Sequence, residues 1–397
     1  MKMIKINLVG GLFALLLTIP FSVNAEIKDP LLQKLVEKGT ITMEEAEDIA
    51  GKSKAELPKG LQGISIGGLA YLDYSAGTTG HVETNYNKFS ITRGYINIKK
   101  DITPWFKARV TSDITQITNT SNSQRGDIEL RLKYYYIDIL TSDDFGMLSD
   151  NDLRIGVSQT PWLDFQQSIN IYRMQGSMFQ ERFKNFNSAD MGIGLLGNFG
   201  GKLSKELQEN VGYHAPYSGR YGSYHIGIYN GGGYHAAEDN QNKVVEGRIT
   251  LRPLPDLIPG LQLSYLGVSG KGNKSTDPEW TNNSGLLSCQ NRYIVLTGEY
   301  TQAKGQQDGS GEKKKGGYSV FGNLKIPLYD RVAIMGRYDV WDPDTDSSND
   351  TQNLLITGLS YKVHDNNYLL IVYEQLHYEN AGYKDDKKGQ VVFQVSF

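Results

Sequence analysis

The chain has almost no cysteine: Cys289 is the only one in 397 residues, so no internal disulfide can form and a disulfide scaffold is excluded. After residue 25 it also lacks any long uncharged apolar run, which removes membrane-spanning helices from consideration. Charge of one sign is missing as well. The 41 Lys and Arg against 44 Asp and Glu leave a formal net charge of −3, which gives no reason to invoke nucleic acid. The six histidines show no ligand spacing, and no CxxC, HExxH or Walker pattern occurs, so no enzyme, metal or cofactor is expected. GGGY at 231–234 follows a strand but precedes no helix, so it is no phosphate cradle, and His225 reads as a wall residue rather than a base. DPDTDSSND at 342–350 starts like a calcium loop, yet Ser347 and Asn353 stand where Gly and Glu belong; it reads as a solvated loop.

What is present is 25 Tyr, 13 Phe, 4 Trp and 44 Gly. The mean hydropathy of −0.42 suggests a soluble protein. A membrane β-barrel gives the same value, because only alternate residues of each strand touch lipid. The first 25 residues place Lys2 and Lys5 before an apolar run from Leu8 to Ile19 and end in Val23-Asn24-Ala25, the pattern of a secretory signal cleaved after Ala25. Residues 26–60 follow as a periplasmic helical segment and linker. Asp29-Pro30 starts one helix that Gly39 ends, and Thr42 with Glu45 forms a capping box for a second. A helical hairpin packed on a neighbouring surface, a plug and a self-association element remain equal readings of it.

From residue 61 to 397 the dominant period is two. IELRLKYYY puts Ile128, Leu130, Leu132, Tyr134 and Tyr136 opposite Glu129, Arg131, Lys133 and Tyr135; FKARVTSD puts Phe106, Ala108 and Val110 opposite Lys107, Arg109 and Asp113. GQVVFQVSF turns Val391, Phe393, Val395 and Phe397 one way, toward lipid, in a strand that closes the barrel. Short joins such as IPLYDRV and KVHDNN alternate with long polar ones such as TTGHVETNYN and ENAGYKDDKK, the two-rim pattern of an outer-membrane barrel. Trp105, Trp162, Trp341 and the Tyr134–Tyr136 run lie near strand ends, where an interfacial girdle is expected. Fifteen strands are evident, which is odd, whereas single-chain bacterial barrels are even. Direction counting leaves one descending strand to find, and residues 279–290 are the only room for it. The expected fold is therefore all-β, a sixteen-stranded antiparallel transmembrane barrel.

One connection is longer than a loop in a compact barrel should be. WLDFQQSINIYRMQGSMFQERFKNFNS, residues 162–188, either folds into the lumen and constricts it or lies over the mouth. The polar faces carry an excess of cations: Arg93, Lys99, Lys107, Arg109, Arg131, Lys133, Arg154, Arg248, Arg252, Lys325, Arg331 and Arg337 against Asp73, Asp113, Glu129, Glu246 and Asp339. Such a lining raises the local concentration of anions. The candidate anion-binding and pore-lining residues are Arg93, Lys107, Arg109, Arg131 and Arg154 on strands two to five, with Arg173 and Arg182 from the loop.

NKFSITRGYINIKKDITPWFKARVTSDI (87–114), RIGVSQTPWLDFQQS with MFQERFKNFNSADMGIGLLGNF (154–199), and VAIMGRYDVWDPDTDSSNDTQNLLITGLSYKV (332–363) together resemble porins of the phosphate-selective O/P type. Phe397 fits the assembly signal of outer-membrane proteins. The resemblance implies a homotrimer in the outer membrane of a Gram-negative bacterium, with an inward loop and a basic passage for phosphate or other small anions. Small anionic or polar solutes and outer-membrane lipid are the expected partners. The rival readings are a barrel sheath for a partner such as a multihaem cytochrome conduit, and an adhesive barrel with a filled lumen.

Overall fold

A computed structural model of the protein describes residues 30–43, 45–46, 60–80, 83–117, 126–141, 144–212 and 217–397. The expected signal segment, most of the second short helix and the linker before residue 60 lie outside them. The described residues belong to two compact units, divided between Gln62 and Gly63. In the first, α1 (Pro30–Glu37) stops at Gly39, whose φ of 64° suits glycine. Thr42 and Glu45 cap each other, the Glu45 amide donating to Thr42 Oγ1 at 3.1 Å and the Thr42 amide to Glu45 Oε2 at 2.8 Å. Leu32 is buried with Ala46 beside them.

The second unit is a closed barrel of sixteen antiparallel strands, each paired with its sequence neighbours. They are β1 (Ile64–Thr79), β2 (Thr84–Asp101), β3 (Phe106–Gln116), β4 (Ile128–Leu140), β5 (Leu148–Gln159), β6 (Ala189–Phe199), β7 (Gly222–Tyr229) and β8 (Val244–Leu251). There follow β9 (Gln262–Lys271), β10 (Glu279–Gln290), β11 (Ile294–Lys304), β12 (Lys314–Ile326), β13 (Tyr329–Asp342), β14 (Gln352–His364), β15 (Asn367–Tyr378) and β16 (Asp386–Ser396). The strand that direction counting required is β10. It escapes notice in the sequence because EWTNNSGLLSCQ is polar over half its length. β16 pairs with β1 from Leu69↔Ser396 to Thr78↔Lys387, so no strand edge remains open.

Alternation divides each strand between an apolar outer face and an inner one. On β7, Ile226 and Ile228 are exposed outward while Ser223, His225 and Tyr229 are buried inward. In a hydrocarbon environment only such a closed ladder satisfies every backbone group. Two details depart from the simple period. A bulge in β4, where Thr111↔Tyr134 is followed by Ser112↔Leu132, shifts the phase at Lys133. Tyr134 and Tyr136 therefore point into the lumen beside Lys133, and Tyr135 is the outward ring, contrary to the strict alternation expected. The girdle expectation also fails for Trp162 and Trp341: both are almost fully buried inside, and only Trp105 is exposed at a strand end.

Residues 160–188 run within the barrel. They form α2 (Pro161–Ile169), a 3₁₀ turn at Arg173–Gln175 and α3 (Phe179–Arg182). Trp162, Leu163, Phe165, Ile169 and Met178 pack on inward Val244, Leu266, Val268, Trp280 and Leu286 of β8–β10. Tyr172 and Met174 pack on Phe321, Met335, Leu354, Ile356, Leu370, Val372 and Val392 of β12–β16 and on Tyr71 of β1. Each such side chain fully buried contributes about 1.5–3 kcal/mol. This explains an inner wall that is apolar where a lumen should be polar. The loop covers it.

A second element reaches the same half of the lumen from the short-turn rim. Between β6 and β7 lies α4 (Lys205–Val211), and beyond it the Tyr217 hydroxyl donates to the Asp164 carboxylate of the loop. Arg248 lies between the rings of Phe165 and Tyr217, 4.4 and 5.0 Å from their centroids, and its Nε donates to the Pro161 carbonyl at 3.1 Å. Arg248, counted among the lumenal cations in the sequence, thus holds the loop instead.

Candidate functional site

With the loop against β8–β16, the cations lie on the inner faces of β2–β5, which are partly open on β2 and β3 and buried at Lys133 and Arg154 of β4 and β5. On β2, a bulge between Tyr71 and Leu72 of the β1 pairing keeps Arg93, Tyr95, Asn97 and Lys99 on the inner face. On β3 the register Asn97↔Thr111 and Lys99↔Arg109 sets Arg109 directly beside them. Arg109 donates to Asn97 Oδ1 at 2.9 Å and Thr111 Oγ1 at 3.0 Å, and its guanidinium covers the Tyr134 ring at 4.8 Å. Arg93 donates to the Tyr95 hydroxyl. Lys133 donates to Ser188 Oγ at 2.9 Å and faces the Tyr234 ring at 4.7 Å. Among the described residues, none of Arg93, Arg109 and Lys133 forms a direct ion pair; their hydrogen-bond and ring partners are neutral, with the Glu181 carboxylate in reach of the charges of Arg93 and Lys133.

The other expected site residues are compensated. Arg131 pairs with Asp113 at 2.8 Å, and Lys107 with Asp101 at 3.4 Å near the short-turn rim. Arg154 takes Asp138 at 2.7 Å and Asp152 at 3.5 Å. From the loop, Arg173 pairs with Glu181 at 2.7 Å, while Arg182 crosses to Glu374 of β15 at 3.0 Å, away from the β2–β4 strip. Of the two loop arginines, Arg173 thus lies toward the strand cluster and Arg182 away from it. Gly176, at a φ of 147°, lies so close to the Arg182 guanidinium that a Cβ there would collide with it. Burial opposes ionisation of Glu181, but the charges of Arg173, Arg93 and Lys133 outweigh it and hold this loop carboxyl below the usual carboxylate range.

One cavity reaches the strip, and another opens on the opposite side of the lumen. A cavity of about 570 Å³ at the short-turn rim is lined by Ser65, Asn97, Lys99, Arg109, Gln167 and Arg173. Another of about 550 Å³ on the long-loop side is lined by Arg182, Lys184, Lys313, Lys315, Trp341 and Tyr378. The acidic loop after β13 spends its carboxylates on lysines, Lys313 reaching Asp344 at 2.9 Å and Lys314 reaching Asp346 at 3.2 Å.

Several contributors went unrecognised in the sequence. Tyr234 enters from a long loop, where no period gives direction. Glu299 of β11 accepts from Trp162 Nε1 at 2.9 Å, from Gln180 Nε2 at 2.6 Å and from Gln166 Nε2, pinning both helices of the loop. Inward Asp138, Asp152, Asp190 and Glu374 reduce the cation excess read from the polar faces alone.

No protein-family model matches the chain, and no curated protein matches it. Solved structures do. An anion-selective porin from Comamonas acidovorans is similar over 84% of this chain and 99% of its own, with a TM-score of 0.55 at 12% identity. Salmonella typhi OmpF in complex with daunomycin is similar over 84% and 97%, with a TM-score of 0.57 at 10% identity. The trimer form of Vibrio cholerae OmpT is similar over 85% and 100%, with a TM-score of 0.54 at 10% identity. At such identities the likeness concerns the fold: this chain has the sixteen-stranded barrel fold of outer-membrane porins.

Proposed function

We propose that the protein is an outer-membrane porin for passive diffusion of small solutes, with a preference for anions such as phosphate. The observation that carries this reading is the pairing of a lumenal loop, which narrows the barrel, with a strip of cations on the facing wall whose direct hydrogen-bond partners are neutral. Size is limited by residues 162–188 and charge preference is set by Arg93, Arg109 and Lys133, helped by Arg173; Lys107, Arg131 and Arg154 lie on the same wall with their charges shared, and Arg182 stands apart from it beside Glu374. In a low-dielectric channel such groups raise the local concentration of anions without any chemical step. The short-turn rim faces the periplasm in this reading, and the barrel works as a trimer, as the trimer form of Vibrio cholerae OmpT suggests by its fold.

The sheath reading fares worse because the chain's own loop occupies the lumen that a partner protein would need. The test is the reversal potential of the purified protein in a planar bilayer under a KCl gradient. An anion-preferring value is expected. A cation-preferring value would overturn the charge assignment, and the absence of any channel current would overturn the porin reading.

A further inference from the structure

Three cations and one loop carboxylate meet where the loop crosses the β1–β4 wall. Arg93 lies 5.2 Å and Lys133 5.4 Å from the centroid of the same Tyr95 ring, so these two wall charges bracket one side chain. Arg93 stands opposite Tyr71 in the β1–β2 register. Tyr71 in turn belongs to the apolar cluster that holds Tyr172 and Met174, the residues on either side of Arg173. Arg173 comes from the loop side to within reach of the Arg93 charge, and there it donates to Glu181 at 2.7 Å.

Donors outnumber acceptors in this cluster. Lys133 is 2% exposed and Arg173 7%, so neither is rescued by bulk water. The Arg173 Nε is buried without an acceptor among the described residues. Asp113 is nearby, but it takes Arg131 at 2.8 Å and the Tyr234 hydroxyl at 3.3 Å. Three positive charges around one carboxylate repel each other, and desolvated cations without full compensation are costly. A second small oxyanion would relieve both terms, and the fork-like donors of two guanidiniums suit its geometry.

We propose that Arg93, Lys133 and Arg173 form an oxyanion-binding station in the passage and that Glu181 is its tethered resident anion, displaced from Arg173 by a permeating phosphate or carboxylate group. This rests on the porin reading above. Glu181 keeps the cations in place while the passage is empty. By returning to Arg173 it expels the bound solute, and conduction needs a site weak enough to release what it binds.

The experiment is block of chloride current by inorganic phosphate, measured in planar bilayers for the wild type, Glu181→Gln, Arg173→Gln and the double variant. Glu181→Gln, nearly isosteric, should lower the half-blocking phosphate concentration by about tenfold or more. Arg173→Gln should raise it, and adding Glu181→Gln to that variant should lower it again. The second comparison covers the case in which the single Gln variant alters the position of the loop. An unchanged half-blocking concentration in both comparisons overturns the resident-anion role. A wild type that conducts and prefers anions but is not blocked by phosphate overturns the station while leaving the porin reading intact. A wild type without current overturns both.

Discussion

Exchanging Arg93 and Arg109 together for glutamate should turn an anion-preferring channel into a cation-preferring one. Neither guanidinium pairs with a carboxylate among the described residues, so the exchange alters the charge of the passage without breaking an ion pair in the wall. Arg131 and Arg154 are poorer targets despite their equal prominence in the sequence. Arg131 pairs with Asp113, and Arg154 is shared between Asp138 and Asp152, so glutamates there would crowd acids together and damage the barrel before informing on the pore. The double exchange swings the local charge by four units beside Lys99 and the loop. The ratio of anion to cation permeability should fall by about an order of magnitude or more, with the reversal potential changing sign. A reversal potential within error of wild type would remove these residues from the ion path.

Glu299→Ala should open the channel. The carboxylate lies on the inner face of β11, fully enclosed, and receives the Trp162 indole at 2.9 Å, the Gln180 amide at 2.6 Å and the Gln166 amide. Truncation leaves those donors without their acceptor in a buried place, at a cost of about 1–3 kcal/mol for each. That cost falls on the docked state of the loop rather than on the barrel ladder, whose backbone bonds are untouched. Single-channel conductance should rise and its open-state noise increase, while heat-dependent gel mobility, a measure of the barrel itself, stays near wild type. Glu299→Gln keeps one acceptor oxygen and should show a smaller change. Wild-type conductance in the alanine variant would mean that the apolar contacts of Trp162 and Phe165 hold the loop unaided.

The barrel was legible in the sequence because its physics is local. A strand between lipid and water alternates, and the parity of a closed barrel recovers even β10, whose own pattern is faint. The outward placement of Val391, Phe393 and Val395 followed from the same rule. What the period could not give was whatever depends on a distant partner. The bulge at Lys133 inverts the assignment of Tyr134 and Tyr136 because β3, and not β4 alone, sets the register. Which cations stay uncompensated depends on which carboxylates lie opposite them, and Asp138 is inward only after that phase change. One signal went unused. Leu354, Leu355 and Ile356, and again Leu369 through Val372, are apolar on both faces, which in a barrel wall means that something covers the inside. Tyr172 and Met174 of the loop are what covers it. Tyr217 and Tyr234 come from connections, where no period points a side chain anywhere.

If solutes pass along the β2–β4 wall beside the inward loop, a thiol placed on that wall should be open to reagents in the pore. In a Cys289→Ser background, with no other thiol in the chain, Arg109→Cys should place a thiol in the passage and Val110→Cys should place one on the outer face. A membrane-impermeant, negatively charged thiol reagent added during recording should reduce the current of the first variant and leave the second unchanged. Current through Arg109→Cys that persists after the thiol has reacted to completion would show that ions take another route than the β2–β4 wall.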